Sequence, residues 1–154
     1  MRPDEHRLAA WRSVIHANAA LTEVLERELQ CDLGMPLAWY DVLLKLNEAG
    51  GQLRMQDLAR EVLLSKSGVT RLVDRMCAAG LVDREPTPSD RRGMLAVLTP
   101  EGKQRLREAA PVHLRGIEQH FASLISDDEA AVLRDVCDRL LARLRPQADD
   151  DCET

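Results

Sequence analysis

The residues most able to do chemistry here are cationic and short polar side chains gathered in two stretches. In the first, Val69, Leu72, Val73 and Met76 fall at i, i+3, i+4 and i+7, so on a helix they share one face. The opposite face then carries Lys66, Ser67, Thr70, Arg71, Asp74 and Arg75. A helix lying in the major groove of duplex DNA needs this combination. Its apolar back holds it, short donors allow close approach, and arginines reach guanine edges or phosphates. Ser65 is a good N-cap for such a helix. Gly68 would let the backbone come close to a duplex, and the helix N-terminus would favour a phosphate. An ordinary amphipathic surface helix would show the same faces. The second stretch, Ser89-Asp90-Arg91-Arg92-Gly93, sits between two short strand-like runs and places two guanidinium groups at a turn. Arginine at such a tip suits a narrow minor groove, where the negative potential is strongest. Asp90 would be repelled by phosphate, so its expected role is internal, holding Arg92 or an arginine of the helix in position.

The elements that must position these groups follow from periodicity and punctuation. A first helix is expected from about Glu5 to Leu29, with Leu8, Trp11, Val14, Ile15, Leu21, Val24 and Leu25 as its apolar stripe. It stops near Gly34 and Pro36. A second helix spans about Leu37 to Ala49 and is closed by Gly50-Gly51. A short helix from Met55 to Glu61 precedes the polar-faced one, which runs from Ser65 to Ala79 and ends at Gly80. Leu81–Arg84 and Met94–Leu98 read as two strands flanking a polar loop from Pro86 to Gly93, which together make a wing. Thr99 caps a helix with Pro100 at its first position, expected to reach about Ile125 with a kink or break at Pro111. Ser126 to Glu129 caps a last helix, striped by Val132, Leu133, Val136, Leu140, Leu141 and Leu144. The fold class expected is mainly α, a winged helix-turn-helix at residues 35–99. It is flanked by dimerisation helices at 1–34 and 100–146 and by an acidic, disordered tail at 147–154. The stripes of the first and last helices exceed what one small chain can bury, so a two-fold dimer is expected, with an intramolecular bundle as the alternative.

Composition bounds the classes. The net charge of −5 looks wrong for a polyanion's partner until it is divided along the chain. Residues 54–107 hold 11 basic and 7 acidic side chains, a balance of +4, leaving −9 on the remainder. A basic centre between acidic ends is the footprint that phosphate contact requires. The four cysteines, Cys31, Cys77, Cys137 and Cys152, form no CxxC pair, which points away from a zinc site or a disulfide framework. No apolar run is long enough for a membrane span and no signal-peptide core is present, so a cytoplasmic protein is expected. No phosphate-binding glycine loop, nucleophile with a base, or paired-carboxylate motif argues for an enzyme, and no cofactor or metal is expected.

The run Asp90-Arg91-Arg92-Gly93-Met94-Leu95-Ala96-Val97-Leu98-Thr99-Pro100-Glu101-Gly102 resembles the wing signature of MarR-type regulators, D-x-R-x-x-x-x-x-L-T-x-x-G. Leu64 to Arg75 is similar to their recognition helix and Gly80-Leu81-Val82 to its exit. The resemblance implies a winged-helix homodimer, usually a repressor, that binds an inverted-repeat operator in double-stranded DNA. It also implies a ligand pocket where the dimer helices meet each reading head. Trp11, His16, Trp39, Tyr40, Asp41 and His113 could line that pocket around a small aromatic or anionic effector. Trp11 and Asp41 stand where some urate- or phenolic-acid-responsive members use a Trp and an Asp. The thiol-sensing pattern of other members does not carry over cleanly. Cys31 sits at the wrong end of the first helix, and Cys77 lies three residues before Gly80, where one relative has its cysteine two before. His113 and His120 share a helix face, but Glu118 lies on another, so metal sensing lacks a third ligand. A thiol- or metal-responsive regulator and a winged helix that docks on protein are the alternatives.

Overall fold

The computed structural model describes residues 4–62 and 64–144. The expectations for Arg145-Pro146, the acidic tail and Cys152 lie outside them. Helix α1 (Glu5–Leu33) starts at Asp4, whose side chain accepts from the Arg7 N–H, and stops at Gly34, which is left-handed at φ 61°. Helix α2 (Leu37–Glu48) follows at once, and its first N–H, of Leu37, donates to the Glu26 carboxylate at 2.7 Å. Strand β1 (Gln52–Arg54) leads into α3 (Met55–Glu61) and then α4 (Lys66–Ala78). Strands β2 (Val82–Thr87) and β3 (Asp90–Leu98) form the wing, and α5 (Pro100–His120) leaves it. A single 3₁₀ turn at Ala122–Leu124 precedes α6 (Asp127–Leu144).

The sheet is antiparallel in the order β1-β3-β2, with Leu53 opposite Ala96 and Arg84 opposite Ala96 from the other side. Three expectations are corrected. β1 is a third strand, too short at three residues to show a period. The wing loop is shorter than Pro86–Gly93, because the strands extend to a Thr87–Asp90 pair and only Pro88 and Ser89 lie between them. This extension absorbs a register shift at Pro86/Thr87, where proline has no N–H for the ladder. Finally, α5 is not broken at Pro111 and ends at His120 rather than near Ile125. The proline costs the Arg107 carbonyl its i+4 donor, and the rest of the helix continues around that single loss.

The described residues divide into two compact units, one ending at Gly116 and the other starting at Ile117. In the first, one core joins Leu29, Tyr40, Val42, Leu43 and Leu46 of α1 and α2 to Leu58 of α3 and to Val69, Leu72, Val73 and Met76 of α4. Val82 and Ala96 close it from the sheet, and Leu106 and Ala109 from α5. Gly102 shows how tightly α5 seats. A Cβ there would overlap the Leu81 carbonyl oxygen and come within 2.9 Å of the Leu98 side chain. The Thr99 hydroxyl completes the junction, donating to the Gly80 carbonyl at 2.7 Å and accepting from the Gly102 N–H at 2.9 Å. In the second unit, Ser126 and Glu129 form the expected reciprocal capping box. None of the residues of α6 is buried, and Val132 and Leu144 are 65% and 72% exposed.

Gly102→Ala tests the α5 junction. Alanine's helix propensity would stabilise by up to about 1 kcal/mol. Overlap with backbone, which cannot rotate away, costs roughly 1–3 kcal/mol. Urea denaturation is expected to show net destabilisation; unchanged or raised stability would mean the junction is looser than described.

Candidate nucleic-acid interface and effector cavity

Helix α4 starts where Ser65 turns its hydroxyl back to accept from the Gly68 N–H at 3.1 Å. Gly68 has a local reason to be glycine, since a Cβ would stand 3.0 Å from that same hydroxyl oxygen. Lys66, Ser67, Thr70, Arg71 and Arg75 are all exposed, as the face assignment requires. Thr70 donates to the Lys66 carbonyl at 2.9 Å and Arg71 Nε to the Ser67 carbonyl at 3.5 Å, so both side chains lie along the helix surface. At the wing, Arg91 and Arg92 are exposed at the start of β3. Asp90 holds the turn through the backbone, its Oδ1 accepting from the Arg92 N–H at 2.9 Å. The contact to Arg92 is made to its main chain and not to its guanidinium.

Asp74 is exposed on the outward face and pairs with Arg84 of β2 at 3.0 Å. The same guanidinium donates to the Thr70 carbonyl at 3.2 Å, so one arginine ties the wing to the middle of α4. Arg54 extends the link from β1, donating to the Ser89 hydroxyl at 3.4 Å. Between wing and helix lies a cleft of about 370 Å³ lined in part by Arg54, Lys66, Thr70, Arg84, Asp90 and Arg92. Sequence reasoning missed Arg54 and Arg84. The signal for Arg84 was present, because strand alternation puts it on the face of the buried Val82, towards α4. For Arg54, no local pattern marks its partner 35 residues away.

Within a single chain the six residues expected around an effector stand in different surroundings. Trp11 and His16 are exposed on α1, and Trp39 packs against the core. Tyr40 and His113 stack with ring centroids 4.3 Å apart. His113 Nδ1 is buried without a hydrogen-bond partner, and burial holds the imidazole below its usual pKa. Burial, with Asp41 and Glu48 nearby, pushes the Tyr40 phenol up. Asp41 lines a different space, a cavity of about 240 Å³ that it shares with Thr22, Glu26, Leu37, Ala38 and Leu72, among others. Burial raises the Asp41 pKa; Lys45 opposes this and Glu26 adds to it. Cys77 is half-buried with its thiol pushed up mainly by burial, the opposite of what a reactive thiolate needs. Among the described residues no group of three His, Cys, Asp or Glu side chains is placed to hold a metal, and no helix is long and apolar enough to cross a membrane.

With this geometry in place, comparison with known proteins defines the class. The MarR family model matches residues 33–93. The chain is 30% identical over 87 residues to the uncharacterized HTH-type transcriptional regulator YkoM of Bacillus subtilis, covering 56% of each. It is 27% identical over 85 residues to the multiple antibiotic resistance protein MarR of Salmonella typhimurium, covering 55% of this chain and 59% of that one. The matched stretch thus spans a little over half the length of these curated relatives. Solved structures match further. AbsC, a MarR family transcriptional regulator from Streptomyces coelicolor, is 35% identical with a TM-score of 0.87, covering 96% of this chain and 99% of that one. Sco3205, a MarR family regulator from the same organism solved in complex with DNA, is 34% identical with a TM-score of 0.89, covering 97% and 94%. The chain belongs to the MarR family of transcriptional regulators, and its fold is the expected winged helix.

The His113 environment makes a signed prediction. Its folded pKa is depressed, so as pH falls through the ordinary imidazole value of 6.5 the unfolded chain takes up a proton that the folded chain resists. The stability present above that value is lost progressively below it. Chemical denaturation at about pH 7.5 and about pH 5.5 is expected to show a larger loss for the wild type than for His113→Gln. Equal losses would remove His113 from the acid response.

Proposed function

We propose that the chain reads double-stranded DNA as a two-fold homodimer, represses from an inverted-repeat operator, and releases it when a small effector binds. The observation that carries this reading is the cleft between α4 and the wing, lined in part by Arg54, Lys66, Arg84 and Arg92, with Arg71 and Arg75 of α4 and Arg91 of the wing exposed. Ser65, Ser67, Gly68 and Thr70 lie at the end of α4 that would enter the groove first. In this reading α4 contacts base edges in the major groove, and the wing arginines reach the adjacent minor groove. A dimer would set its two half-sites about 34 Å apart. The need for a second copy is supported by the exposed apolar residues Trp11, Val14 and Ile15 of α1 and by the uncovered stripe of α6. A DNA partner also implies a cytoplasmic site of action. The effector is a small aromatic molecule, and Asp41 contributes to its pocket.

Fluorescence anisotropy with DNA from upstream of the chain's own gene, and with genome-wide fragments, tests this. Tight binding that survives random-duplex competitor is expected. Arg71→Ala and Arg92→Ala should each weaken it at least about tenfold, with the salt slope reduced by about 1 for each lost phosphate contact. Binding no better than to random duplex for every fragment would overturn the reading and leave a protein-docking winged helix.

Arg84 gives a separate expectation. The Arg84–Asp74 pair is partly exposed, so Arg84→Gln should change stability by less than about 1 kcal/mol. It should nonetheless weaken DNA binding several-fold, because α4 and the wing are no longer tied. Unaltered affinity would make the tie irrelevant to reading.

A further inference from the structure

The geometry points to the 240 Å³ cavity between α1, α2 and α4 as a site for a small lipophilic organic cation, a one-ring amine or amidine. Drug-sized pockets run from roughly 300 to 1,000 Å³, so this space takes a single ring. Its walls are apolar side chains, Leu37 and Ala38 of α2, Val62 and Leu64 between α3 and α4, and Leu72 of α4. Its polar groups are the Thr22 hydroxyl and the carboxyls of Glu26 and Asp41, and no cationic side chain lines it.

The two carboxyls are not equivalent. Glu26 is already engaged at the start of α2, accepting from the Leu37 N–H. Asp41 is half-buried, and no described residue hydrogen-bonds to it. Lys45 faces Asp41 electrostatically, but its ammonium is held by Glu48 at 3.0 Å and shared with Glu61 at 3.9 Å. A carboxylate in an apolar wall without a donor is stabilised by an incoming cation, and an amidinium offers it two parallel N–H groups. An anionic effector would meet two carboxylates at close range and no compensating charge. The cavity therefore selects against the aromatic acids and for aromatic cations. This narrows the effector of the proposed function, and only the effect on DNA rests on that reading. Leu72 supplies the link, since it lines the cavity from the buried side of α4.

The test is isothermal titration of the full chain, without DNA, against three probes of one shape: benzamidinium, neutral benzamide and benzoate. At about pH 8, where carboxylates are charged, benzamidinium should bind at least tenfold more tightly than the other two. Asp41→Asn, which keeps the side-chain shape, should remove at least tenfold of that affinity, with Thr22→Val as a second wall variant in case Asn perturbs the fold. Benzoate binding as well as benzamidinium, no benzamidinium binding to the wild type, or full affinity in both variants would overturn the proposal. Because binding is read without DNA, a failed operator search and a failed ligand site give different results.

Discussion

Helix α4 must keep Val69, Leu72, Val73 and Met76 out of water while leaving Lys66, Arg71 and Arg75 in it, and this demand fixes its roll about its own axis. Burying four such side chains contributes gross stabilisation of roughly 1.5–3 kcal/mol apiece. The Arg84–Asp74 pair, partly exposed, supplies at most about 1 kcal/mol. Packing therefore holds α4 in place, and the ion pair's contribution is registration. Arg84 stands opposite Ala96 on β3, so the strand that carries the wing arginines is linked through β2 to the main chain at Thr70. A cationic helix and a cationic ribbon would otherwise repel one another and drift. Here one guanidinium bonded to Asp74 and to a carbonyl keeps them in fixed relation.

The same helix couples the two chemically distinct spaces of the first unit. The face bearing Lys66 and Thr70 borders the basic cleft, while Leu72, on the back, borders the acidic cavity. Under the proposed function, a molecule in the cavity that prefers one position of Leu72 would shift the outward face, and linkage would make the effect reciprocal. The contrast in charge also explains how a chain of net charge −5 can present a surface suited to phosphate. Beyond a Debye length of about 8 Å at physiological salt, exposed charges are screened, so the local balance counts more than the total.

What was legible in the sequence was whatever is decided within one turn or one strand pair. Ser65, Thr99 and Ser126 were readable as caps because capping depends on residues two or three positions away. The apolar back of α4 and the paired arginines of the wing were readable for the same reason. The rest depended on contacts distant in sequence. β1 exists because β3 offers it a ladder, α5 continues past Pro111 because its neighbours hold it, and Arg54 finds Ser89 across the sheet. Gly102 is a motif position whose reason, the Leu81 carbonyl beneath it, lies outside its own helix. The residues that share a space with Asp41 carry no mark of it in the sequence. The walls at Val62, Leu64 and Leu72 are ordinary core residues in sequence and become a cavity only where three elements fail to close.

The terminal helices mark a different limit. Periodicity reports that α1 and α6 have apolar faces, and it is silent on what covers them. In the single chain, Trp11 is 63% exposed and no residue of α6 is buried, although α6 carries six large aliphatic side chains along one stripe. A solvated helix has no use for such a stripe, and an 18-residue helix with its apolar face in water gains too little from propensity alone to be stable. Leu29 anchors the end of α1 in the core, so the faces left without cover among the described residues are the first part of α1 and the stripe of α6, which the proposed partner copy would cover. A two-fold partner offers the same stripe in return, so each exposed face is covered by a surface of equal apolar extent. If the proposed dimer forms, the folded unit of this sequence is the pair, and the spacing between its two α4 helices is set by residues of the terminal helices rather than by the reading head.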